Sequence, residues 1–189
     1  MARPLSEQKR KALLSAAADL IAAVGTSAST AKIAQSAGVS EGTLFTYFPS
    51  KDDLLNQLFV DVETSLSETM LAPFPKRGKK RDQLYQIWYR LIDWGIQHPV
   101  ERKVMHQLKA SDRISEQSRR HCEDMLRDAR QMVEHCLTGY AAADRIGFYI
   151  DRVLFGLANV TVDGIDARPG DRDAITQAGF DLFWKGAAA

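Results

Sequence analysis

Residues 39–55 read VSEGTLFTYFPSKDDLL, and residues 33–38 directly before them read IAQSAG. Gly38 supplies the left-handed backbone that a tight corner between two helices needs, and Val39 offers an apolar side chain to plug between them. Ser40 reads as the N-cap of the next helix. Gly42 and Thr43 keep the opening turn of that helix slim enough for a groove roughly 12 Å wide. Leu44 and Phe48, four apart, face inward, which leaves Glu41, Thr43, Phe45, Thr46 and Tyr47 for outward faces. Pro49 stops the helix. Ser50 followed by Asp53 is a capping-box pattern that starts another helix, with Lys51 in its first turn. The pattern as a whole is a helix-turn-helix.

Working outward, the chain reads as helical throughout. Helix 1 is expected from about residue 6 to 24, with Leu13, Ala17, Leu20, Ile21 and Val24 on one stripe and Gly25 ending it. The helix begun at Lys51 is expected to reach about Leu71. Residues 72–82, APFPKRGKKRD, read as a Pro- and Lys-rich break and a solvated loop. Further helices are expected at 83–97, 100–110, 114–137 as one long helix, 143–162 and 172–185, the last two divided by the turn-rich DGIDARPGD. No strand pattern competes with them.

The elements IA, AGVS, GTLF, YF and SK-DDLL occur in one unbroken order, and over residues 8 to 58 the chain resembles the DNA-binding segment of TetR-family bacterial transcriptional regulators. That resemblance implies an all-α fold: an N-terminal three-helix helix-turn-helix DNA-binding domain, residues 1–55, and a C-terminal helical ligand-binding and dimerisation domain, residues 56–189. It implies that Thr30, Tyr47 and Lys51 hold phosphates, and that Glu41, Gly42, Thr43, Phe45 and Thr46 face bases behind the Ser40 cap. Glu41 can accept from a cytosine amino group, and Thr43 or Phe45 can pack on thymine methyls. For Tyr47, a packed aromatic with a wet hydroxyl is the competing reading. Ala31 stands where many relatives carry an Arg, and the recognition helix has no Lys or Arg, so readout is expected to lean on methyl contacts and DNA shape.

Composition excludes more than it selects. The 189 residues carry a formal net charge of +1 and are 45% hydrophobic, ordinary for a globular protein. Over residues 1–55, Arg3, Lys9, Arg10, Lys11, Lys32 and Lys51 stand against Glu7, Asp19, Glu41, Asp52 and Asp53, so the strong basic footprint of many nucleic-acid binders is missing. Without a long apolar run or a signal-peptide pattern, the expectation is a cytoplasmic chain with no membrane partner. Two cysteines suggest no disulfide framework. His121-Cys122 and His135-Cys136 lie about 21 Å apart on a continuous helix, too far to share an ion, so neither a metal nor another cofactor is expected. No catalytic motif is present either, and no enzymatic activity is expected.

In the C-terminal half, Tyr85, Trp88, Leu91, Ile92 and Gly95 form an apolar stripe bordered by Trp94. Such a stripe serves packing or lines a cavity. In TetR-like proteins a pocket in this domain receives the inducer, and by that resemblance Trp88, Trp94, Met105, Met125 and Met132 are the candidate ligand-binding residues. Ile146, Tyr149, Ile150, Val153, Leu154, Phe155, Leu157 and Val160 cover more than one helix face, while Gly147, Gly156 and Ala158 leave room for a close backbone. Ile175, Ala178, Gly179, Leu182 and Phe183 add a second apolar face. Either these helices close the chain's own core or they pair with their copies, making a homodimer through the last two helices as in TetR-like dimers.

The resemblance therefore implies a repressor that a small-molecule effector releases from double-stranded, palindromic operator DNA. Two alternatives stay open: a TetR-fold ligand- or partner-binding dimer without sequence-specific DNA binding, and a small-molecule enzyme on a helical scaffold.

Overall fold

The computed structural model describes residues 5–73 and 78–187. Arg3 and residues 74–77 of the expected loop lie outside them. Among the described residues there is no strand, and the helices are α1 (Glu7–Val24), α2 (Thr30–Ser36), α3 (Glu41–Tyr47), α4 (Lys51–Leu71), α5 (Lys80–Gln97), α6 (Pro99–Lys109), α7 (Glu116–Met125), α8 (Arg127–Leu137), α9 (Ile146–Phe148), α10 (Phe155–Ala167) and α11 (Arg172–Ala187). Two compact units result, Met1–Ser65 with Pro99–Glu123, and Leu66–His98 with Asp124–Ala189.

In the first unit the ends of the helices are set by local chemistry. Ser6 caps α1 by accepting from the Lys9 amide, and Gly25 closes it at φ 77°. Between α2 and α3 the chain makes a Schellman turn: the Val39 amide donates to the Ala34 carbonyl at 2.9 Å and the Gly38 amide to Gln35 at 3.1 Å, with Gly38 at φ 70°. A side chain at that φ would be strained, which is why glycine stands there. Leu13, Ala17, Ile21, Ile33, Leu44, Leu54, Leu55 and Phe48 form the buried interior. The α1 stripe is displaced from its expected line, since Leu14, Ala16 and Ala18 are also buried whereas Val24 is 59% exposed. The cause is α6, which packs along α1 and so encloses a second arc of it. Sequence grouping had placed all residues after 55 with the C-terminal half; residues of α6 and most of α7 belong to this unit.

The second unit is built on α5, which packs against α8, α10 and α11. Helix α5 begins at Lys80, three residues before its expected start, because its first residues find partners rather than solvent. Arg81 bridges to Asp181 at 2.6 Å and lies 5.1 Å from the centroid of the Phe180 ring, and Lys80 Nζ donates to the Thr138 carbonyl at 2.8 Å. The expected solvated loop therefore ends at Lys79. The single helix expected over 114–137 is two helices broken at Leu126, whose backbone stands at φ −90°, ψ 2°. The segment expected as one helix over 143–162 starts with a 3-10 turn, passes through a π-helical turn at Tyr149–Leu154 and continues to Ala167. A π turn adds a residue to one turn of helix, so apolar residues on either side of it are offset around the axis.

Candidate nucleic-acid interface

The short helix α3 carries the candidate site. Ser40 Oγ accepts from the Thr43 amide at 3.2 Å and shares a hydrogen bond with the Thr43 hydroxyl at 2.9 Å, which fixes the first turn. Leu44 and Phe48 are buried as expected, and this rolls Glu41, Gly42, Phe45 and Thr46 outward. Phe45 is 41% exposed. Thr43, like Tyr47, is half-buried, so these two turn less toward solvent than the rest of the expected outward set. The Thr46 hydroxyl donates to the Gly42 carbonyl at 3.0 Å, leaving its methyl and an acceptor lone pair to the outside.

The residues expected at phosphates frame that helix. Tyr47, half-buried, accepts a hydrogen bond from the Ser6 amide at 2.9 Å, which ties α3 to the start of α1 and leaves the phenolic proton free to donate. The same side chain lines a cleft of about 290 Å³ together with Arg10, Asp53 and Asn56. Ser50 Oγ accepts from the Asp53 amide at 3.1 Å and donates to the Asp53 carboxylate at 2.7 Å, so Ser50 caps α4 and Lys51 opens it. Burial and the nearby Arg113 guanidinium hold the Lys51 ammonium below the usual lysine range, against the opposing pull of Asp52. Thr30 does not stand free: its hydroxyl donates to Glu41 Oε1 at 2.6 Å.

Sequence reading missed Asn56 and Arg113. The Asn56 amide donates to the Asp52 and Arg113 carbonyls and accepts from the Ser115 amide, while Arg113 pairs with Asp52 at 2.8 Å. The connector between α6 and α7 is thereby clasped to the first turns of α4, beside Lys51. The partners are 57 to 61 residues apart in the chain, and no local pattern signals such a clasp.

The five candidate ligand residues are not gathered in one unit. Met105 is buried in the first; Trp88, Trp94, Met125 and Met132 belong to the second. Trp88 is fully enclosed, its indole N–H donating to the Thr176 carbonyl at 3.0 Å and its ring stacked on Phe183 at 6.4 Å. Trp94 is buried and stacked on His98. Met125 and Met132 are half-buried. On the metal hypothesis, His121 and His135 are exposed whereas Cys122 and Cys136 are buried, and among the described residues no cluster of three His, Cys, Asp or Glu converges. No helix of the described residues is long and apolar enough to cross a membrane.

The family described as bacterial regulatory proteins, tetR family, matches residues 13–58, which run from the core of α1 into α4. Nucleoid occlusion factor SlmA of Haemophilus influenzae strain PittGG is 28% identical over 76 residues, 40% of this chain. The chain spans about a third of that relative's length, 35%. A crystal structure assigned to the tetR family of transcription regulators, from Shewanella sp. PV-4, superposes with a TM-score of 0.82 at 27% identity, covering 96% of this chain and 98% of its own. The fold is also shared with the transcriptional regulator FadR from Bacillus subtilis, solved in complex with stearoyl-CoA, at a TM-score of 0.67 and 20% identity over 94% and 98% of the two chains. A matched helix-turn-helix at one end and a shared all-helical fold along the chain give one consistent likeness: residues 13–58 match the tetR family of bacterial regulatory proteins, and the chain as a whole is similar in fold to a solved regulator assigned to that family.

Proposed function

We propose that the protein is a ligand-responsive DNA-binding regulator of transcription, without enzymatic activity, which acts in the cytoplasm as a repressor and leaves a palindromic operator when a small molecule binds. The observation that carries this reading is α3 itself, whose buried Leu44 and Phe48 leave Glu41, Gly42, Phe45 and Thr46 on one solvent face of a helix entered through a glycine turn. Ser40, Thr43, Tyr47 and Lys51 complete the proposed surface. In a dimer, two such helices would enter successive major grooves about 34 to 36 Å apart. Selection from a random duplex library tests the reading: an inverted repeat should emerge, and a failure to enrich any sequence would overturn it.

The homodimer is proposed through α10 and α11 with the turns before α10. In support, Phe148, Val160 and Leu182 are 59%, 67% and 62% exposed in the single chain, apolar surface that pairing would cover. Sedimentation of the wild type against Val160→Asp tests it, the variant being expected to sediment as a monomer.

The effector is proposed to bind the second unit near Trp88, Trp94, Met125 and Met132, with stearoyl-CoA on the B. subtilis FadR as precedent for the fold. The burial of Trp88 means that a ligand touching it must displace a packed neighbour such as Phe183. Met105, in the first unit, is the least supported of the five. If effector and operator oppose each other, each must weaken the other's binding by the same factor, typically about 5- to 150-fold. Equal effector affinities with and without operator would sink this model.

A second reading, a dimer of the same fold that binds a ligand or partner without sequence-specific DNA binding, is favoured by one observation: α3 carries no Lys or Arg. The same selection experiment separates the two.

A further inference from the structure

Thr30 is the first residue of α2 and Glu41 the first of α3, and their side chains meet across the turn. Thr30 Oγ1 donates to Glu41 Oε1 at 2.6 Å, a short, charge-assisted hydrogen bond. A threonine hydroxyl has one proton to give. Spent on Glu41, it is not available to a phosphate, so Thr30 and Glu41 do not act as independent contacts. The carboxylate lies in the first turn of α3, beside the positive end of the helix, where a negative charge is favoured. A solvent-exposed glutamate there would otherwise sample several rotamers. Held at Oε1, it keeps Oε2 as an oriented acceptor on the outward face of the helix.

An acceptor fixed on a groove-reading helix discriminates in both directions. Cytosine offers an amino donor in the major groove; adenine sets its amino donor beside an N7 acceptor that repels a carboxylate, and guanine (N7, O6) and thymine (O4) present only acceptors that a carboxylate cannot satisfy. The negative charge also repels phosphates, so without a donor from a base it weakens binding. We propose that Thr30 and Glu41 form a specificity-determining pair, Glu41 reading and Thr30 positioning, which selects cytosine at one position of each half-site. This rests on the DNA-binding reading above and assigns Thr30 a role different from the phosphate contact implied by resemblance.

The experiment uses the full-length chain as wild type, Thr30→Val, Thr30→Ser, Glu41→Gln and the Thr30→Val/Glu41→Gln double variant. Affinities are measured on the duplex selected from a random library and on the duplexes carrying the other three bases at the cytosine position, with thermal unfolding as a control for folding. Glu41→Gln should lose the cytosine preference, roughly 5- to 150-fold. Thr30→Val should erode the preference at that same position, Thr30→Ser should restore it, and the double variant should be no less selective than Glu41→Gln alone. The proposal is overturned if Thr30→Val weakens all four duplexes by one factor, as loss of a phosphate contact would, or if the two single effects simply add. A wild-type selection that enriches no sequence at all would instead remove the DNA-binding reading, and this inference with it.

Discussion

The phenolic oxygen of Tyr47, the last residue of α3, accepts a hydrogen bond from the amide of Ser6, the N-cap of α1. The bond is exposed, so water can replace it when the hydroxyl is removed. Tyr47→Phe should therefore cost the fold no more than about 0.5–1.5 kcal/mol. The same change deletes the donor proposed to face a phosphate, and affinity should fall by a similar factor on every duplex. Urea titration and anisotropy on two unrelated duplexes check both halves; a loss confined to the operator would make Tyr47 a reader of bases.

Lys51 yields a prediction in salt and in pH. Lys51→Ala should weaken all duplexes about equally and flatten the log-log salt slope by about 0.9 per lost phosphate contact, roughly two units per dimer. Burial and Arg113 hold the Lys51 pKa below the ordinary value of 10.5. Since the charged form is disfavoured in the native state, the penalty is present at neutral pH and is relieved as pH rises through the lowered pKa toward 10.5. DNA binding needs the charge and should change in the opposite sense, declining in that alkaline window while Lys51→Arg retains it. A wild-type affinity no more pH-sensitive than that of the Arg variant would remove Lys51 from the interface.

The N-terminal helices were legible because their ends are written locally. Ser6, Gly25, Gly38, Ser40 and Ser50 each act within a few residues of their place in the chain, and the structure uses each as a cap or turn. What was not legible depends on residues far apart. The start of α5 was placed too late because Lys80 and Arg81 look like loop residues until Thr138, Phe180 and Asp181 are brought to them. The break at Leu126 has no Gly or Pro to announce it, and the apolar spacing runs across it undisturbed. At the site, the outward face of α3 followed from periodicity, but the bond between Thr30 and Glu41 did not, since it depends on how the turn presents two helix starts to each other.

Glu63 is 1% exposed, and Lys109 Nζ lies 2.9 Å from its Oε1, close enough for an ion pair but not aligned as a hydrogen bond. Removing the cation strands a buried carboxylate, so Lys109→Met should destabilise the protein by about 3–5 kcal/mol. Glu63→Gln leaves only a lysine that can turn to solvent and should cost clearly less. Denaturant unfolding of the two variants checks the order; a reversal would mean that Lys109 is not what compensates the buried Glu63 side chain.

Next to this pair, Cys122 is a buried thiol whose pKa is pushed up to about 12, first by burial and then by the Glu63 charge, partly offset by Lys109. The unfolded chain releases this proton near 9.0 while the native state keeps it. Stability from this group is thus complete below pH 9 and is lost as pH rises toward 12. Cys122→Ser should remove that share of the alkaline decline, and at pH 8 the native thiol should resist a disulfide reagent that labels it readily in denaturant. Fast labelling of the native protein would contradict the burial.

Gly179 packs closely within the single chain, whereas Gly147 and Gly156, where another backbone is expected to approach, leave room in it. A Cβ at Gly156 would meet nothing within 4 Å, and one at Gly147 only the end of the Arg130 side chain at 3.7 Å. At Gly179 a Cβ would collide with the Thr161 hydroxyl and come within 2.9 Å of Trp88 Cζ2. The hydroxyl is held by its bond to the Leu157 carbonyl at 2.7 Å, and Trp88 by its bond to Thr176, so neither can yield cheaply. Gly179→Ala gains helix propensity, worth up to about 1 kcal/mol, but overpacking typically costs about 1–3 kcal/mol. The net effect should be a loss, and Thr161→Ala in the same chain should recover part of it by opening the space. Melting temperatures of the two single variants and the double variant form the cycle. If the two changes prove additive, the α10–α11 crossing does not depend on Gly179 meeting Thr161.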